Sequence, residues 1–148
     1  MELFQQGYNC AQAVLGAFCE ELGMDLEAAV KISSSFGGGM GRLHEVCGAV
    51  SGMFMVAGLK YGYTSPTDTE AKRAHYRRIQ ALAGRFEQEN GSIVCRNLLG
   101  LADGKSGVHP GERVERPKKK RPCVELVGHA AELMEHMIQN KTVEGSNK

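Results

Sequence analysis

Along nearly the whole chain apolar residues recur three and four positions apart, and nowhere do they alternate over a strand-length run. That spacing gives helices an apolar face and gives strands none, so the expected class is all α. Glycine, proline and capping residues then cut the pattern into a compact single-domain bundle of five to six helices over residues 1–140. A first helix is expected from Glu2 to Leu22, with Leu3, Val14, Phe18 and Leu22 on one side and Gly23 as its stop. Asp25 is placed to cap a short second helix through Leu26 to Ile32. Four glycines among Gly37, Gly38, Gly39 and Gly41 lose too much backbone entropy as helix, so Phe36 to Arg42 reads as a Gly-rich loop.

A third helix follows from Val46 to Tyr61, closed by Gly62 and Pro66. Thr67 or Asp68 caps a long fourth helix to Glu89, burying Ala71, His75, Ile79, Leu82 and Phe86 and turning Lys72, Arg73, Arg77 and Arg78 outward. Gly91 ends it. Ser92 is expected to cap a fifth helix, Ile93 to Leu99, and Pro122 to open a last one reaching Asn140 with Val124, Val127, Ala131, Met134 and Ile138 inward. Between them residues 101–122 have no apolar period and read as a long basic, Gly- and Pro-containing surface loop, and 141–148 as a frayed tail.

Composition enters as exclusion. A formal net charge of +1 gives no reason to expect a nucleic acid or an anionic membrane as partner. No apolar stretch approaches the ~20 residues that cross a bilayer. The segment before Cys19 lacks a basic start and carries Phe18 where a cleavable signal has a small residue, so the expected compartment is the cytoplasm.

Five cysteines cannot all pair within one chain, and in a reducing compartment separated cysteines serve as metal ligands, redox thiols or core filler. Cys10 and Cys19 fall on opposite sides of one helix, and Cys19 is read as filler. Cys47 stands out because it follows a glycine-rich loop at the start of a helix, where the dipole favours a thiolate, making it the expected nucleophile with Cys10 as its partner. Gly48 and Gly52, four apart on one face, let a backbone or cofactor come close. Cys123 is also expected at a helix start, and Cys95 on the short helix after Gly91. No C-x2-C knuckle is present, so a site uniting Cys10, Cys47, Cys95 and Cys123 has to be built by the fold, from four different helices. Four thiolates could hold an iron-sulfur cluster or zinc, or two pairs could cycle between dithiol and disulfide with no cofactor.

Other features are weaker. Gly37 to Arg42 follows a helix and lacks the Lys-Ser/Thr of a phosphate loop. The run Pro117 to Arg121 has no interleaved aromatic residue for stacking on bases and reads as solvated loop. His44, His75, His109, His129 and His136 are scattered; His44 or Glu45 could serve as a base for Cys47, but the favoured reading puts them at the surface.

Taken together, Gly7-Tyr8-Asn9-Cys10-Ala11-Gln12-Ala13-Val14, Phe36 to Arg42, Cys47-Gly48-Ala49-Val50-Ser51-Gly52, the stretch from Phe86 through Gly91 to Cys95 and Gly100, and Cys123 with Val127 and Ala131 resemble the C_GCAxxG_C_C family, small redox-active proteins with four characteristic cysteines and a CGAxxG motif. The resemblance runs to about residue 135. It implies redox activity on the four cysteines and a partner that is a redox protein or associated with a transporter. Cys19 and the basic stretch Arg116 to Pro122 lie outside it. A homo-oligomer is a further candidate state. The competing reading is a structural or regulatory module, tied to a transporter, in which the thiols only pack.

Overall fold

The computed structural model describes residues 1–101 and 123–140. The described residues are helical, apart from turns and one isolated β-bridge, as the apolar spacing predicts. The helices are α1 (Glu2–Gln5), α2 (Cys10–Phe18), α3 (Leu26–Ser33), α4 (Gly48–Tyr61), α5 (Thr69–Asn90), α6 (Cys95–Leu99) and α7 (Cys123–Gln139). None is long and apolar enough to cross a membrane. The basic run, His109, the tail and the expected surface loop beyond Leu101 lie outside the described residues.

α2 is the hub, packed against α1, α3, α4 and α7. Val14 and Leu15 of α2, Val50, Met53 and Val56 of α4, Leu82 and Phe86 of α5, and Val127 and Met134 of α7 are fully buried in one apolar cluster. The closest crossing, α2 on α4, depends on glycine. A Cβ on Gly52 would lie 2.9 Å from both the Ala11 carbonyl oxygen and Val14 Cβ, closer than packed atoms tolerate. Gly48 and Gly52 therefore serve the helix crossing, and α2 fills the space in front of them where a cofactor had been considered.

The first helix is not continuous. Gly7 takes φ +104°, and the chain restarts at Asn9, whose side chain accepts from the Gln12 N–H while the Gln12 side chain accepts from the Asn9 N–H. Such a reciprocal cap contributes about 1 kcal/mol. It also makes Cys10 the first residue of α2 rather than a mid-helix one. Asn9 Nδ2 donates to the Ser34 carbonyl and Gln12 Nε2 to the Val30 carbonyl, fastening this start to α3.

The Gly-rich segment is more than a loop. After a single 3-10 turn at Ser34–Phe36, the residues Gly38, Gly39, Met40, Gly41 and Arg42 all have φ between +65° and +68°, so the chain winds one left-handed turn closed by a Gly41 N–H to Gly37 O bond. Three glycines make this possible, and at Met40 and Arg42 the left-handed conformation costs roughly 1–2 kcal/mol per residue.

Other starts and stops agree with the sequence. Asp25 and Asp68 cap α3 and α5 by accepting from Ala28 and Ala71, and Gly91 and Gly100 end α5 and α6 with positive φ. Several details differ. α4 begins at Gly48 with Cys47 as its N-cap, and α6 begins at Cys95, not Ile93. Both displaced starts have one cause: Val46 and Val94 are extended and pair with each other as an isolated antiparallel bridge. On α7 the buried face is set by Leu126, Val127, Ala130, Leu133 and Met134, while Val124, Ala131 and Ile138 lie at its half-buried edges. Arg78 is half-buried, its guanidinium 4.6 Å from the centre of the Tyr61 ring.

Candidate functional site

The four cysteines singled out from the sequence all stand where helices begin. Cys10 is the first residue of α2, Cys47 the N-cap of α4, Cys95 the first residue of α6, and Cys123 the first described residue of α7. The sequence had placed only Cys47 and Cys123 at helix starts. Helix N-termini carry partial positive charge, which offsets part of the cost of a negative sulfur there.

Each thiol is positioned by backbone. The N–H of Cys47 donates to the Ile93 carbonyl (2.8 Å) and the N–H of Cys95 to the Glu45 carbonyl (2.6 Å), the two bonds flanking the Val46–Val94 pair. Side chains alternate along extended chain, so Cys47 and Cys95 leave the same face of this bridge. Arg96, which the sequence reading missed, locks the arrangement: its N–H and Nε donate to the His44 carbonyl and its Nη2 to Glu45 Oε1 at 2.7 Å. The Gly turn seats against the same residues. A Cβ on Gly39 would fall 2.6 Å from Cys95 Cβ, and one on Gly48 would fall 3.1 Å from Cys10 Cβ.

The thiols interact. Cys10 and Cys123 are joined by a side-chain hydrogen bond, and this bond, ahead of burial, pushes the Cys10 pKa far up; charge on Cys123, Cys47 and Cys95 adds to the effect. The pair thus holds on to the proton between its two sulfurs. At Cys47 burial raises the pKa, opposed by the N–H groups of Ala49 and Val50, with the charge of Cys123 a smaller upward influence. The sequence reasoning expected the helix start to lower it. Desolvation of a thiol only 4% exposed outweighs the dipole. All five cysteines are thiols, with Cys10 and Cys123 half-buried and Cys47 and Cys95 buried. Cys19 is buried in the apolar cluster, as its filler reading predicts.

Among the described residues no group of three or more His, Cys, Asp or Glu side chains is arranged to hold a metal ion, so the coordinates give the metal-ligand expectation no support. His75 is buried, as its place on the apolar stripe of α5 predicts, whereas His44 is buried where a surface residue was expected; His129 is also buried and His136 exposed. His129 accounts for its burial: Nε2 lies 2.8 Å from Glu89 Oε2, Nδ1 lies 2.8 Å from Asn90 Nδ2, and the ring stacks on Phe86. His44 has φ +58° and a buried Nδ1 with no hydrogen-bond partner among the described residues, and burial, then Arg96 and Arg42, hold its pKa down. Glu45 is engaged by Arg96, away from the role of base to Cys47.

No curated protein and no solved structure matches the chain. A family model does, over residues 8–137, its description being "Putative redox-active protein (C_GCAxxG_C_C)". That span includes all four helix-start cysteines, the left-handed turn and the glycine crossing, and the chain belongs to the C_GCAxxG_C_C family.

Proposed function

We propose that this protein is a thiol redox protein whose working couple is Cys10 and Cys123. The observation that carries this reading is the hydrogen bond between the two half-buried thiols, each at the start of a helix. Two sulfurs that hold one proton between them are a divided pair. Cys123 is the sulfur that attacks, and Cys10 is the one that resolves. In the first step the Cys123 thiolate attacks an external disulfide, forming a mixed disulfide and expelling one thiolate. Cys10 then attacks the Cys123 sulfur, the second thiolate leaves, and the Cys10 proton goes with it. The balance is two protein thiols oxidised to one disulfide and one external disulfide reduced to two thiols. The buried Cys47 and Cys95 back this couple.

Protein purified without oxygen and treated with oxidised glutathione tests the proposal by thiol counting and peptide mapping. The expected result is loss of two thiols and a Cys10–Cys123 disulfide, abolished in Cys10→Ser and Cys123→Ser and retained in Cys19→Ser. Four unreacted thiols at the site would return the chain to the packing-module reading. Stoichiometric iron or zinc with thiolate absorption in the same preparation would replace the dithiol reading with a metal centre.

A further inference from the structure

Cys10 occupies a position the other thiols do not. On one side it is hydrogen-bonded to Cys123. On the other its Cβ packs onto the first turn of α4, where a Cβ on Gly48 would lie 3.1 Å from it, a contact tighter than ordinary packing. Gly48 directly follows Cys47. The missing side chain thus lets Cys10 pack against the residue that follows Cys47, and Cys47 and Cys95 both act electrostatically on Cys10. Exposure differs in step, since Cys10 and Cys123 are half-buried and Cys47 is buried.

We infer that Cys10 is a shared sulfur, closing a disulfide either with Cys123 at the mouth of the site or with the buried Cys47. The inference rests on the thiol redox reading above. The exchange between the two bonds needs no external reagent: Cys47 attacks Cys10 within the Cys10–Cys123 disulfide, the Cys10–Cys47 bond forms, Cys123 leaves as a thiolate, and the proton lost by Cys47 ends on Cys123. No electrons enter or leave. The helix N-terminus at Cys123 suits a departing thiolate, and the N–H groups of Ala49 and Val50 suit the attacking one. The exchange moves the oxidised bond from the half-exposed mouth to the interior and returns Cys123 to the solvent side as a thiol. A small-molecule reductant reaches the first bond more readily than the second, and Cys123 becomes available to a second external disulfide.

Two measurements test this on the full chain. In Cys123→Ser treated with oxidised glutathione, peptide mapping is expected to find Cys10–Cys47 as the internal disulfide. In the wild type, acid-quenched time points are expected to show Cys10–Cys123 first and a rising share of Cys10–Cys47 later, a result that depends on no variant folding. A Cys123→Ser protein with native circular dichroism that carries only a glutathione adduct on Cys10, or a bond from Cys10 to Cys95, overturns the inference. So does a wild-type time course confined to Cys10–Cys123. Both outcomes leave the proposed function standing, whereas wild type that forms no Cys10–Cys123 bond overturns that reading separately.

Discussion

The two ends of α4 do opposite things with the same helix. At its start, Cys47, Gly48 and Gly52 are small and buried, α2 presses directly on the backbone, and the neighbours are thiols and a left-handed turn. At its end, Tyr61 sits beneath Arg78, which also donates to the Tyr61 carbonyl at 3.4 Å and lies 3.4 Å from His75 Nδ1, and Lys60 reaches Glu21 across 3.8 Å. Tyr63 adds edge-on ring contacts to His75 and Tyr76. The first end is fixed by backbone geometry and tolerates almost no added atom. The second is fixed by large side chains, each replaceable at modest cost. Chemistry that needs sulfur atoms held in register belongs at the first.

One substitution made at two positions of α4 should break the helix's apparent uniformity. Gly48→Ala places a Cβ 2.9 Å from the Phe36 carbonyl oxygen and 3.2 Å from the Ala11 nitrogen, backbone atoms that cannot swing aside, and should destabilise by about 2–3 kcal/mol. Gly58→Ala meets nothing within 4 Å among the described residues and should stabilise by about 0.5–1 kcal/mol through helix propensity. Urea denaturation of both variants reads the contrast, and equal signs would abolish it. A smaller effect is expected from Arg78→Ala, a loss of about 1 kcal/mol in the same assay with thiol oxidation unchanged. A change in oxidation would mean that the two ends are coupled.

The smallest effect concerns pH. Burial, then Arg78, hold the His75 pKa below its ordinary 6.5. The native state thus binds fewer protons than the unfolded chain between the two values. The contribution of neutral His75 is fully present above about 6.5 and is lost as pH falls toward the lowered pKa. Thermal melts from pH 7 to pH 5 should show a drop that is shallower in His75→Gln, and an identical drop would remove His75 from the account.

Much of this was readable in advance because it is local. Asp25, Asp68, Gly91 and Gly100 each act within one turn of their own helix, and their residue types announce what they do. Asn9 with Gln12 three positions on was an equally local signal, overridden by the apolar run on either side of it. Other features had no local signature. Nothing in Met40, Arg42 or His44 as residue types points to a left-handed conformation, which only the neighbouring glycines and the packing against Cys95 impose. Val46 and Val94 meet across two intervening helices, and neither run is long enough to read as a strand. The burial of His129 had no local sign because its partners Glu89 and Asn90 become visible only when α5 and α7 are side by side. For the site, a candidate set of Cys10, Cys47, Cys95 and Cys123 was inferable from the sequence. Which thiol lies on which was not.

The single pairing of Val46 with Val94 sets an order of events. Helices are local and form within microseconds, whereas this contact closes a loop containing all of α4 and α5 and bears its entropy before any reward. Cys47 and Cys95 therefore come into register late in folding, after the helices that carry the other thiols exist. The sulfurs of Cys47 and Cys95 are spared from one another until that loop has closed.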